Sequence, residues 1–84
     1  MEPTEAVRHA VEQVGVLTGR EIEGVLGVRR DHEGWRVTIE LVERHRVPDL
    51  PDVLASYDVS LDGRGHLREY RRTRRYHRSQ AEDR

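Results

Sequence analysis

The chain has no cysteine, no lysine and no phenylalanine, and one tryptophan among its 84 residues. Without cysteine there is neither a disulfide framework nor a thiolate metal site, so packing alone must hold the fold. Without phenylalanine, and with hydrophobic residues at 35%, the core has to come from aliphatic side chains, Trp35 and the tyrosines. A chain of this length sits near the size where one hydrophobic core only just suffices, and a sizeable internal active-site cavity is not expected. An apolar run long enough to cross a bilayer is also missing, and the opening Met1-Glu2-Pro3 is unlike a secretory signal. The expected location is the cytoplasm, with no membrane partner. The absence of lysine leaves all fifteen basic residues as arginine, a residue that forms planar paired contacts with carboxylates.

What is present is periodic. From Thr4 to Thr18, Val7, Ala10, Val11, Val14 and Leu17 recur at three- and four-residue spacing, one stripe of an amphipathic helix. Thr4 can cap its start, Glu5 suits the first turn, and Gly19 is a natural stop. Gly24 and Gly27 follow without helical spacing and read as a link into a strand. The period then changes from that of a helix to that of a sheet. Strands are expected over about 25–31, 35–46, 53–61 and 67–77, with His32-Glu33-Gly34 as a tight turn and Asp62-Gly63-Arg64-Gly65 as a glycine-bearing hairpin. Leu41 and Val42 are adjacent apolar residues, so the inward phase is expected to switch there through a bulge. Pro48 and Pro51 bracket a loop, and residues 79–84 read as a flexible tail.

The expected architecture is α+β, a single domain over residues 1–84: an N-terminal amphipathic helix packed on a four-stranded antiparallel β-meander. The helix should cover Trp35, Val37, Ile39, Tyr57, Val59 and Tyr70. Tyr70 and Tyr76, six residues apart, should share that inward face. The opposite face should carry Arg36, Thr38, Glu40, Ser56, Asp58, Glu69, Arg71, Thr73 and Arg75, open to water or a partner.

Charge is segregated. Residues 1–62 hold seven arginines against thirteen acids, and residues 63–84 hold eight against three, so halves of −6 and +5 make up the formal net charge of −1. Leu67 to Arg78 carries six of the arginines, Arg68, Arg71, Arg72, Arg74, Arg75 and Arg78, with one acid, Glu69. Tyrosines interleaved with arginines could stack bases and hold phosphates, so a small nucleic-acid-binding regulator is the alternative function. Against it, the acids of the first 62 residues can pair with this strand, and the tyrosines are wanted in a core short of bulk.

Catalytic chemistry is not apparent. The five histidines, His9, His32, His45, His66 and His77, are dispersed, whereas a zinc site needs three or four convergent donors. Ser56, Ser60 and Ser79 lack a nucleophile elbow. Asp58 with Glu40 or Glu69 could form an acid/base pair, but neighbouring arginines would keep each carboxylate ionised. Gly63-Arg64-Gly65 lacks the spacing of a phosphate loop. No enzyme activity, cofactor or metal is expected.

The run Gly34-Trp35-Arg36-Val37-Thr38-Ile39-Glu40-Leu41-Val42-Glu43, then Val47-Pro48-Asp49, then Asp52-Val53-Leu54-Ala55-Ser56-Tyr57-Asp58-Val59, and finally Tyr70-Arg71-Arg72-Thr73-Arg74-Arg75-Tyr76, resembles the gas vesicle protein O (GvpO) family. The likeness covers about residues 4–78, and the order of the segments is more specific than any one of them. It implies a non-enzymatic accessory protein for building gas vesicles, hollow protein-shelled flotation organelles. The implied partners are other gas vesicle accessory proteins or the shell protein, with a homodimer through an exposed edge strand as a further expectation. The family offers no established catalytic residues to carry over. The long polar N-terminal extension common in that family is expected to be missing, so no role of that extension is transferred. The arginines of the last strand are the expected protein-contact residues, since arginine and tyrosine often anchor interfaces.

Overall fold

Residues 1–44 and 51–78 are described by a computed structural model. The apolar stripe at helical spacing forms α1 (Pro3–Thr18), followed by β1 (Glu21–Asp31), β2 (Gly34–Arg44), β3 (Val53–Leu61) and β4 (Leu67–His77). All neighbouring strands are antiparallel and the sheet order is β1-β2-β3-β4, the α+β meander expected. The expected residues 45–46 of β2, the loop up to Leu50 and the tail 79–84 lie outside the described residues.

The helix starts one residue before the expected position. Glu2 is its N-cap, Pro3 takes the first turn, where a missing N–H costs nothing, and the Glu2 backbone N–H donates to Glu5 Oε1 at 2.8 Å. Thr4 is therefore inside the helix and is not its cap. Gly19 ends it in the left-handed region, φ 66, with its N–H on Gly15 O. Ala6, Ala10 and Val14 are fully buried and Val7 and Val11 pack beside them. Small residues at the centre of the stripe let the helix lie close to the sheet. Leu17, expected in the stripe, is exposed instead: it falls on the flank turned toward β4, beside Gln13 and Val16.

The helix covers Trp35, Val37, Ile39 and Leu41 of β2 with Val59 and Leu61 of β3. Cross-strand pairs Val37↔Val59 and Ile39↔Tyr57 build this layer. Burial of each Ile or Leu here stabilises the fold by roughly 1.5–3 kcal/mol. Gln13 fixes where the helix sits along the sheet. Its Nε2 donates to Gly65 O at 2.8 Å and its Oε1 accepts the Leu67 N–H at 2.9 Å, tying α1 to the β3–β4 turn.

Several sequence expectations fail at bulges. In β1 the residues Glu23 and Leu26 are extra relative to β2, so the strand begins at Glu21, four residues before the expected start, and contains Gly24 and Gly27. Two interruptions in eleven residues erase the period-2 pattern by which a strand is recognised. Leu41 and Val42 pair regularly with Ala55 and Leu54 on opposite faces, and the bulge comes one residue later, at Glu43. In β4 Arg68 and Thr73 are extra.

The Thr73 bulge inverts the alternation over the rest of β4, because one inserted residue turns every later side chain to the other face. Tyr70 stands opposite Val59 on the helix side, whereas Tyr76 stands opposite Leu54 on the outer side. The two tyrosines therefore do not share a face. Tyr76 is 8% exposed, in a second small core with Val42 and Leu54, while Tyr70 is 37% exposed and packs its ring on Tyr57 at 5.9 Å. By the same inversion Arg75, opposite Ala55, leaves the outer face, Arg74, opposite Ser56, joins it, and Thr73 is unpaired in the ladder.

Carboxylates set both described hairpin turns. Asp31 Oδ1 accepts the N–H groups of Glu33 (3.0 Å) and Gly34 (2.9 Å), and Asp62 Oδ1 accepts those of Arg64 and His66, both at 2.9 Å. Gly34 has φ 151, and a Cβ there would lie 2.1 Å from Leu61 O, so no larger residue fits.

Candidate protein-interaction surface

Because the meander ends with β4, that strand pairs, among the described residues, only with β3 and forms one edge of the sheet. An edge strand presents unpaired backbone groups, and arginines along it hinder indiscriminate pairing. The six candidate arginines are divided by the bulges into groups with different tasks.

Four of them hold carboxylates. Arg68 Nη1 donates to Glu33 Oε1 at 3.0 Å, pinning the strand to the β1–β2 turn. Arg72 Nη1 reaches Glu43 Oε2 at 3.2 Å and Arg75 Nε reaches Glu43 Oε1 at 2.8 Å. Arg78 makes a bidentate contact with Glu23, at 2.6 and 3.1 Å, and a third with Asp52 at 3.2 Å. That hydrogen bond holds the Glu23 carboxyl below its usual range, and Glu23 with Asp52 raises the Arg78 guanidinium above its own. The expected pairing with acids elsewhere in the chain is thus realised, but the acids come from β1, β2 and the loops rather than from the adjacent strand β3.

The Glu43 cluster is the most enclosed. Its side chain is 9% exposed although both arginines are about half exposed. The bulge at Glu43 aims its carboxylate across the sheet, past the Tyr57 hydroxyl at 3.5 Å. Burial first, and the Glu43 charge second, push the Tyr57 phenol up. Arg20, just after the helix, donates to the Glu43 backbone oxygen. Neither Glu43 nor Gln13 stood out in the sequence. A lone Glu at the end of an alternating strand and a lone Gln in a helix carry no local signal, and their partners are remote in the chain.

Arg71 and Arg74 lie on the outer face. Arg71 stands opposite Asp58, which accepts a hydrogen bond from Thr38 Oγ1 at 3.2 Å. Arg74 lies over the Tyr76 ring, 4.5 Å from its centroid, a cation–π contact that orients the guanidinium without neutralising it. Both are exposed, on the face that α1 leaves uncovered.

The remaining chemistry is sparse. Among the described residues no three His, Asp or Glu side chains converge to hold a metal ion, and no helix is long and apolar enough to cross a membrane. Backbone hydrogen bonds at Glu33 and His66 hold Asp31 and Asp62, respectively, below the usual carboxylate range. Carboxylates so held are poor proton donors near neutrality. An open polar cavity of about 160 Å³ is lined by Glu33, Arg36, Ser60, Arg68 and Glu69.

The arrangement is that of a helix-backed antiparallel sheet with an arginine-bearing edge and a second face that α1 does not cover. The sequence pattern of the gas vesicle synthesis protein GvpO family matches residues 1–82, and the chain belongs to that family. It is 44% identical over 80 residues to gas vesicle protein O of a Streptomyces species, 35% over 78 residues to gas vesicle protein O1 of Halobacterium salinarum, and 33% over 81 residues to gas vesicle protein O of Haloferax mediterranei. These alignments take in 95%, 93% and 95% of this chain but 62%, 66% and 58% of the relatives, so the chain spans about three fifths of the length of the curated relatives it matches. No solved structure matches the chain.

Proposed function

We propose that the chain serves gas vesicle synthesis as a non-enzymatic accessory protein, contacting other gas vesicle accessory proteins or the shell protein in the cytoplasm through the arginines of β4. The observation that carries this reading is the placement of Arg71 and Arg74: exposed, on an edge strand, on the sheet face the helix does not cover. Arg68, Arg72, Arg75 and Arg78 brace the strand through their carboxylates and frame that surface. Arginine with an adjacent aromatic, as in Arg74 on Tyr76, is the residue chemistry that anchors interfaces.

The same placement ranks the alternatives. A nucleic-acid surface needs a continuous row of guanidinium groups for phosphates, whereas the Thr73 bulge splits the arginines of β4 between the two faces of the sheet. A homodimer through β4 would set arginine against arginine, so a distinct acidic or polar protein surface is the better partner.

Co-purification with the other gas vesicle proteins tests the reading. The double variant Arg71→Glu and Arg74→Glu should fail to retain a vesicle protein and should impair vesicle formation, with circular dichroism unchanged. Reversal at Arg72 is avoided, because a new acid beside Glu43 would disturb the fold. If both reversals leave every association and vesicle formation intact, the arginine surface is not the docking site. Retention on heparin or a labelled RNA shift that weakens steeply with salt would instead favour nucleic acid.

A further inference from the structure

The flank of α1 that faces β4 is apolar and open. Val16 is 82% exposed and Leu17 57% exposed, and with Glu12, Gln13 and Leu67 they line a depression of about 460 Å³. Tyr70 follows Leu67 on the helix side of β4, its ring tilted against that of Tyr57. Exposed apolar residues scattered singly need no explanation, but these are contiguous across two elements.

Next to this depression the charge changes. Tyr57 connects the Tyr70 ring to Glu43, on which Arg72 and Arg75 converge, with Arg20 on its backbone oxygen. Two guanidinium groups therefore share one carboxylate, and a third sits on the backbone oxygen of the same residue. Arg44 and Glu21 line the adjoining cavity with Arg20 and Glu43, adding one charge of each sign. The groove is apolar along the helix and cationic where α1 ends.

We propose that this groove seats an amphipathic segment of a partner protein, apolar along its length and acidic at the end that reaches the Arg20, Arg72 and Arg75 cluster. The inference rests on, and deepens, the reading of β4 as a protein-contact strand: it adds Val16, Leu17, Leu67 and Tyr70 as the apolar anchor beside the arginines. Apolar contact supplies affinity and the charged end sets the direction in which the segment lies. A second copy of the chain is a poorer occupant, because the rim it would bring is another arginine strand.

The test uses the full chain and two short labelled peptides built from leucine and alanine, one ending in two glutamates and the other in two lysines, titrated by fluorescence anisotropy. The glutamate peptide should bind about tenfold more tightly than the lysine peptide at low salt. Val16→Glu, at a site exposed enough to leave the fold intact, should abolish binding, and Leu17→Asp serves as an independent second variant. Equal binding of the two peptides overturns the proposal, as does undiminished binding to both variants. Concentration-dependent self-association that Val16→Glu removes also overturns it, since the occupant is then a second copy. Co-purification with vesicle proteins separates the groove from the outer face. A partner that the Arg71/Arg74 double reversal releases but Val16→Glu retains overturns the groove and leaves the β4 reading standing. A partner that Val16→Glu releases but the double reversal retains supports the groove and refutes the outer-face arginines.

Discussion

Gln13→Ala should be among the most costly substitutions of a half-buried polar residue in this chain. The side chain bridges Gly65 O at 2.8 Å and the Leu67 N–H at 2.9 Å, both more than fifty residues away, and also donates to His9 O within the helix. Each of the two long-range bonds contributes about 1 kcal/mol net, and their loss strands a backbone acceptor and a backbone donor in a partly buried seam. Alanine returns only a few tenths of a kcal/mol of helix propensity. The expected loss is about 2 kcal/mol, which for a chain of this size lowers the thermal midpoint by about 8–16 °C. Urea titration followed by circular dichroism reads it. Gln13→Glu sharpens the test: at neutral pH its carboxylate can still accept from Leu67 N–H but faces the Gly65 carbonyl with no proton to donate. On acidification the protonated carboxyl regains that donor, so Gln13→Glu should recover relative to Gln13→Ala as pH falls toward the carboxylate range. A loss below about 0.5 kcal/mol for alanine, within the range of ordinary surface changes, would refute the claim that Gln13 positions the helix. So would identical behaviour of the glutamate and alanine variants at every pH.

Gly34→Ala should unfold the chain or cost more than about 3 kcal/mol, because its Cβ would meet backbone at Leu61 O; a wild-type urea midpoint would show that the turn can open. Tyr76→Ala should cost about 3 kcal/mol through the cavity left against Val42 and Leu54, and Tyr70→Ala about 1 kcal/mol or less, since Tyr70 is the exposed one of the two. Equal costs in urea titrations would contradict the opposite placement of the two rings. Stability should be level above about pH 5 and fall below it. Glu23, Asp31 and Asp62 are depressed in the fold, so the stability they add is complete above their ordinary values of 4.5 and 3.8 and is lost as pH drops through their lower folded values. Asp62→Asn, which keeps an acceptor for the turn N–H groups, should flatten part of that acid slope; thermal melts from pH 2 to 7 check it.

The elements that were legible in the sequence are those whose burial is regular. Trp35, Val37, Ile39 and Leu41 alternate without interruption because β2 lies mid-sheet, pairs on both sides and is covered by the helix. β1 was half hidden because it is an edge strand with two bulges and an exposed face, so neither alternation nor hydrophobic content marks its first residues. The identity of the arginine strand was legible from composition, but its faces were not. A bulge has no obligate residue type, and Thr73, whose hydroxyl donates to Ser56 O at 3.3 Å, satisfies the interruption with a side chain that would suit a regular strand equally well. The two contacts that organise the candidate surface, Gln13 to the β3–β4 turn and Glu43 to Arg72 and Arg75, are tertiary pairings of residues unremarkable in their own segments.

The Thr73 bulge also decides how the arginines among the eleven residues of β4 are shared between the two faces of the sheet. In an uninterrupted strand Arg71 and Arg75 would share the outer face and Arg72 and Arg74 the helix side. The inserted residue instead sends Arg75 to the side where Glu43 can hold it together with Arg72, and sends Arg74 outward over Tyr76. Arg72 and Arg75 then share one nearly enclosed carboxylate, and Arg71 and Arg74 lie on the face that α1 leaves uncovered. Exposed ion pairs contribute little to stability on their own. What the pairing supplies here is placement: it ties β4 to acids elsewhere in the fold and leaves Arg71 and Arg74 exposed on the face that α1 does not cover.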